Sequence, residues 1–323
     1  MKKLFALFTL CFAVLFALCG CSDDTGKFGK NGKMKIGVSV PAPTHGWAAG
    51  VVWNAEQMKK ELEEKYPGCE VIVVTAKDSA EQVKGIENLL MQDVDALVIM
   101  AQDPVPLTRV CKNAKKQGKF VAIVSNPLTE RVEDVFVNGD NRSFGVEAAR
   151  ALGNELKGQG KIVYLRGNLS PIDKDRTNGF LETLKAEYPG ITVLDSAVSH
   201  WNRETGMKEM ELLLQKHGQI DGVWAGDDDV LHGALQAYQK TGRSDVKVFV
   251  GGGGAQSVVK MVASGDPIVK ATVTYPPEMI SAGIQAAVDF LKDGKKPEKE
   301  IIIRSKIITK DNAKDFFREG SPY

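Results

Sequence analysis

Gly222-Val223-Trp224-Ala225-Gly226-Asp227-Asp228-Asp229-Val230-Leu231-His232-Gly233-Ala234-Leu235-Gln236-Ala237-Tyr238 starts as a short apolar run and stops at three carboxylates. It resumes with Val230, Leu231, Ala234, Leu235 and Tyr238, a spacing that puts apolar side chains on one face of a helix. The stretch predicts a buried strand, a charged tip and a covering helix. Ligands of open α/β sheets bind at the carboxyl ends of strands, so the tip is a candidate pocket wall.

The same alternation runs outward in both directions. Strands are expected over 34–40, 70–75, 96–100, 120–124 and 134–137, with helices over 50–66, 80–92 and 107–117 between them. The series restarts with helices over 143–157, 175–188 and 205–216 and strands over 161–166 and 192–197, leading into the opening unit. Beyond it come strands over 246–250 and 268–273, helices over 255–264 and 277–292, and a last strand over 301–308. Strands alternating with long helices imply an α/β protein with parallel sheets covered on both faces. Two consecutive series imply two similar doubly wound lobes, the first ending near 139–140.

A chain of 323 residues, 43% hydrophobic and 26% charged, is that of an ordinary globular protein large enough for two domains. Without Lys2 and Lys3, the only charged residues of 1–20, 40 basic side chains stand against 41 acidic ones. That balance gives no support to a nucleic-acid partner. Met1-Lys2-Lys3 and the apolar run over 4–18 read as a signal peptide, too short for a comfortable bilayer span. The run ends in Leu18-Cys19-Gly20-Cys21, which resembles the bacterial lipoprotein box, so Cys21 is the expected lipidation site. Residues 21–33 form a polar, Gly-rich tether, and the location is periplasmic or cell-surface on an acyl anchor. Of five cysteines, Cys69 and Cys111 remain, expected as buried free thiols; no metal spacing is present and no cofactor is implied.

Candidate ligand contacts lie where the predicted strands end. His45 and Trp47 sit in a loop stiffened by Pro41 and Pro43, and an aromatic there stacks on a sugar face. Asp103 follows the third strand, Asn126 the fourth, and Asn141 lies just past the lobe boundary; an Asn amide suits hydroxyl recognition. Arg176 opens a helix, where a cation opposes the helix dipole and a purely structural role is disfavoured. Trp201 provides a second aromatic wall. Of the three carboxylates, Asp228 or Asp229 is expected to cap the helix, leaving Asp227 to face a ligand. Gly253 lies within four glycines that let a backbone approach closely, without either phosphate-binding spacing. Tyr275 stands beside two prolines at a chain crossing.

Together these positions resemble the periplasmic sugar-binding proteins of ABC importers, the ribose-binding-protein family with the type I fold, over 34–312. Arg176-x-x-Gly179-Phe180 matches the family's Arg-x-x-Gly-Phe, and Asp140-Asn141 its first interlobe crossing. Ala225-Gly226-Asp227-Asp228 stands where the family has Ala-Gln-Asn-Asp. Ser125-Asn126 replaces an Asp-Arg pair and Gly252-Gly253-Gly254 a Phe-Asp-Gly, so a different pentose, a tetrose or a linear polyol fits better than ribose. The resemblance implies two six-stranded lobes joined by a three-crossing hinge near 139–140, 275–276 and 304–305. One lobe is 34–139 with 276–304, the other 140–275 with 305–323. It further implies a monomer that closes on its ligand and docks on a membrane permease. A sensory receptor that presents ligand without transport is the alternative. An enzyme would need two opposed carboxylates or a metal, and neither spacing is found.

Overall fold

The computed structural model describes residues 32–323, so the expected signal peptide, the expected lipidation site Cys21 and most of the expected tether lie outside the described residues. Twelve strands, β1 to β12, and nine helices, α1 to α9, alternate along them. β1 (Met34–Pro41), β2 (Cys69–Ala76), β3 (Ala96–Ile99), β4 (Phe120–Val124), β5 (Val135–Gly139) and β11 (Glu300–Ile303) form one sheet, in the order β11-β5-β4-β3-β1-β2. The second repeats that order as β12-β10-β9-β8-β6-β7. It comprises β6 (Gln159–Arg166), β7 (Gly190–Val198), β8 (Gly222–Ala225), β9 (Val248–Gly253), β10 (Val269–Thr274) and β12 (Ile307–Ile308).

Central strands are buried on both sides, which is why they read as unbroken apolar runs such as Ala96-Leu97-Val98-Ile99. In the first sheet Val98, Ala122 and Val124 face α1 (Gly46–Lys65) and α9 (Met279–Asp293). Their neighbours Leu97, Ile99, Val121 and Ile123 face α2 (Ser79–Met91) and α3 (Pro104–Lys116). The second sheet is covered by α4 (Asn141–Glu155) and α5 (Pro171–Glu187) on one face. Its other face carries α6 (Arg203–Lys216), α7 (Asp228–Thr241) and α8 (Gln256–Ser264). Cys69 and Cys111 are buried free thiols.

The chain passes between the sheets three times: after β5, after β10, and between β11 and β12. The last passage corrects the expected single strand over 301–308. It breaks at 304–306 because its two halves serve different sheets, and β12 pairs antiparallel with β10 where an all-parallel sheet was expected. Between β1 and β3, and between β6 and β8, the strand order reverses. Loops leaving such a switch point diverge and open a crevice.

Candidate functional site

A cavity of about 530 Å³ lies at the carboxyl ends of both sheets. Every wall segment follows a strand: His45 and Trp47 after β1, Gln102 after β3, Ser125 and Asn126 after β4. From the second sheet come Asn168 and Ser170 after β6, Trp201 after β7, Asp227 after β8 and Tyr275 after β10, with Gly252 and Gly253 closing β9. Eight of the ten expected contacts therefore converge: His45, Trp47, Asn126, Arg176, Trp201, Asp227, Gly253 and Tyr275.

Arg176 is the cavity's cation, and it is 6% exposed. Its place follows from Gly145 and Gly179, where a Cβ would collide with the facing helix backbone; their absence lets α4 and α5 pack closely enough to bring the guanidinium inward. Nε donates to Asn141 Oδ1 at 3.0 Å and an η-nitrogen to the Gly226 carbonyl at 3.0 Å. The guanidinium lies 3.9 Å from the Phe144 ring centroid and 4.4 Å from that of Tyr275, two cation–π contacts with rings set at right angles. Burial draws its pKa down, opposed by Tyr275 and Asp227; a guanidinium nonetheless stays charged in a protein.

The three carboxylates divide differently from the expectation. Asp227, not Asp228 or Asp229, is the N-cap of α7: its backbone is extended and Oδ1 accepts from the Asp229 N–H at 2.8 Å. Its carboxyl also lines the cavity, and burial, with the Asp229 charge second, pushes it up to about 7. Asp228 is fully buried and holds the glycine loop. It accepts from the backbone N–H groups of Gly252, Gly254 and Ala255 at 2.7–3.0 Å, and from Thr272 Oγ1. Burial raises Asp228 to about 7 against the pull of these donors. Asp229 reaches across the cleft, accepting from the Gly46 N–H at 2.9 Å while Arg203 holds its other oxygen at 2.9 Å.

Two further expectations are corrected. Asp103 is exposed and caps α3 by accepting from the Val105 N–H at 3.0 Å; its neighbours Gln102 and Pro104 line the cavity instead. Asn141 does not line the cavity either. As the first residue of α4 it orients Arg176, while its amide donates to the Gly139 carbonyl at 3.2 Å.

The aromatic walls are fixed by backbone as well as packing. Trp47 Nε1 donates to the Tyr275 carbonyl at 2.7 Å and the two rings lie 5.4 Å apart. Tyr275 Oη meets Ser125 Oγ and Asn138 Oδ1, each at 3.1 Å. His45 caps α1 through Nδ1, accepting from the Ala48 N–H at 3.1 Å. Ser125, His200 and Trp201 hold φ of 64°, 55° and 56°, a left-handed conformation unfavourable for residues with a Cβ. Ser125 and Trp201 line the cavity, so part of its wall is held in strained backbone. On the second lobe, Asp173 organises the wall loop, pairing with Arg166 and accepting from the Gly167 N–H at 3.0 Å. The role of Asp173 was not read from sequence; its place three residues after Ser170, a capping pattern, was the available signal.

The sequence pattern of the family described as periplasmic binding protein domain matches residues 36–296. The chain is 28% identical over 304 residues to the ribose import binding protein of Bacillus subtilis, covering 91% of this chain and 95% of that one. It is 30% identical over 236 residues to the xylitol-binding protein of Mycolicibacterium smegmatis, covering 73% and 67%. An ABC transporter solute-binding protein from Mycobacterium smegmatis with bound glycerol superposes with a TM-score of 0.77 at 26% identity, covering 90% of this chain and 98% of that one.

Proposed function

Because the chain belongs to the periplasmic binding protein domain family, we propose that it is an extracytoplasmic receptor that captures a small neutral sugar or polyol and hands it to an ABC permease. The observation that carries this reading is the cavity itself, which is lined by two tryptophans, Trp47 and Trp201, together with Arg176 and Asp227. Flat aromatic faces suit the apolar side of a sugar, while an Arg and an Asp recognise hydroxyls as donor and acceptor. Asp227 is the one carboxylate among the lining residues, where glycoside hydrolysis works through two. The similarity to solute-binding proteins supports a reading of binding rather than hydrolysis.

A different pentose, a tetrose or a linear polyol suits the site better than ribose. Asn126 is tied to the Ala101 carbonyl at 2.8 Å, and the Gly252–Gly253 wall offers no side chain to grip a ring. The lobes divide as 34–139 with 276–304 and 140–275 with 305–323, and ligand shifts the population toward closure by its differential affinity for the closed form. The receptor is a monomer held at the membrane through lipidated Cys21.

Thermal-shift screening against pentoses, tetritols and pentitols tests the substrate class. Shifts with nucleosides or amino acids and none with these compounds would overturn it. Loss of uptake of the bound compound on deletion tests transport; retained uptake with a lost chemotactic response would favour a sensory role.

A further inference from the structure

The first turn of α1 presents His45 and Trp47 to the cavity with Gly46 between them. The Gly46 N–H is one of the amides that a helix start leaves without an intrahelical partner, and it bonds to Asp229 of the opposite lobe. Tyr323 packs beside this bond and is 5% exposed. A Cβ on Gly46 would lie 3.0 Å from Tyr323 Cδ2, and one on Gly50 2.9 Å from Tyr323 Cβ. On the second lobe, a Cβ on Gly253 would collide with Tyr323 Oη. That hydroxyl is buried and has no hydrogen-bond partner among the described residues. The chain reaches this seam from the second lobe. Gln256 holds it there, donating to the Phe316 carbonyl at 3.0 Å and accepting from the Arg318 N–H at 2.9 Å. Arg318 then pairs with Glu278, at the start of α9, at 3.5 Å.

Resting on the reading of the cleft as the ligand site, we infer that Tyr323 is a positioning residue for ligand binding: its ring fills the seam between Gly46, Gly50 and Gly253 and sets the His45–Trp47 turn against the second lobe. Asp229 locks the turn once the ring has placed it. Three glycines leave room for Tyr323: a Cβ at Gly253 would displace its hydroxyl, one at Gly50 would crowd its Cβ, and one at Gly46 would press on the ring edge. The ring and its hydroxyl act in opposite senses. Burying the ring between the lobes favours closure, whereas the hydroxyl regains water when they part. Phenylalanine at 323 should therefore hold the turn at least as well as tyrosine, and a smaller side chain should release it.

Amide exchange by NMR on the full chain, without added ligand, tests this. In Tyr323→Ala the Gly46 amide should exchange about tenfold faster and the Trp47 indole N–H resonance should move, because local opening of the seam becomes easier. In Tyr323→Phe both should stay as in the wild type, or Gly46 should exchange more slowly. The amides of β6 report folding and should be unchanged in both. If Tyr323→Ala weakens β6 protection, Tyr323→Leu takes its place with the same expectation at reduced size. Unchanged Gly46 exchange in the smaller variant would overturn the inference. So would equal loss in the Phe variant, or a Gly46 amide as unprotected in the wild type as in a free peptide. No ligand enters these measurements, so failure of the sugar reading leaves them intact. A sugar-induced thermal shift alongside unmoved Gly46 exchange would sink this inference alone.

Discussion

Replacing Asp227 by Asn should stabilise the ligand-free protein, and by an amount that grows with pH. Asp227 is buried beside Asp229, and its carboxyl is raised from 3.8 to about 7. Between those values the folded protein keeps a proton that the unfolded chain has released, so stability falls as pH rises through the window. Above about 7 the penalty is complete. At roughly 1.4 kcal/mol per pH unit, it amounts to about 1 kcal/mol at pH 4.5 and about 4 kcal/mol at pH 8. Asn caps a helix about as well as Asp, so the bond to the Asp229 N–H survives and only the charge is removed. For a protein of this size one kcal/mol moves Tm by about 2 °C, which predicts a gain of roughly 8 °C at pH 8. Calorimetry of both proteins from pH 4.5 to 8 measures the difference; staying above pH 4.5 avoids Asp195 and Asp245, which their ion pairs hold at about 2. A Tm difference that is flat across this range, or a less stable variant at pH 8, would refute the reasoning.

Arg176→Ala should weaken binding of any compound found by thermal shift at least ~100-fold by calorimetric titration, because it removes a buried donor set worth roughly 3 kcal/mol. Its circular dichroism should be unchanged. Asp228→Ala should destabilise the second lobe by more than ~3 kcal/mol in urea unfolding. It strands three backbone N–H groups and the Thr272 hydroxyl at about 1–3 kcal/mol each. Cys69 and Cys111 should resist a thiol reagent at pH 8 until the protein unfolds, since burial holds them at about 11 and about 12; rapid modification of the native protein would contradict this.

The parts of the fold that were legible in the sequence are those that repeat locally. Runs such as Val223-Trp224-Ala225 followed by a one-faced helix recur in both halves, and they place strand ends, hence the cavity, without reference to distant residues. Asp103 shows the limit of that logic. It sits at the right strand end and caps its helix as Asp227 does, but its side chain stays exposed to solvent, a difference that composition does not encode. The break at 304–306 was hidden from the apolar pattern, because a strand changing sheets keeps the same apolar run on either side, and only the family resemblance placed a crossing there. Tyr323 was invisible for a different reason. No strand precedes it, and its neighbours in space, Gly46 and Gly253, lie far away along the chain.

Asp227-Asp228-Asp229 gathers these points in three residues. Side chains leaving the first turn of a helix at a strand end diverge by about 100° each, so consecutive carboxylates must face different surroundings. Asp227 points into the cavity, Asp228 back into its own lobe and Asp229 across to the other. On the proposed reading each belongs to a different event: contact with ligand, integrity of the glycine wall, and closure of the cleft. Neutralising them one at a time should separate these events, with Asp228 governing unfolding and Asp229 the exchange of Gly46. For Asp227 the two effects oppose: losing its charge stabilises the empty protein at alkaline pH while removing an acceptor for the ligand hydroxyls. On the proposed reading, the stability that Asp227 costs the empty protein is offset in the bound state, and that is the physical reason to look there for ligand choice.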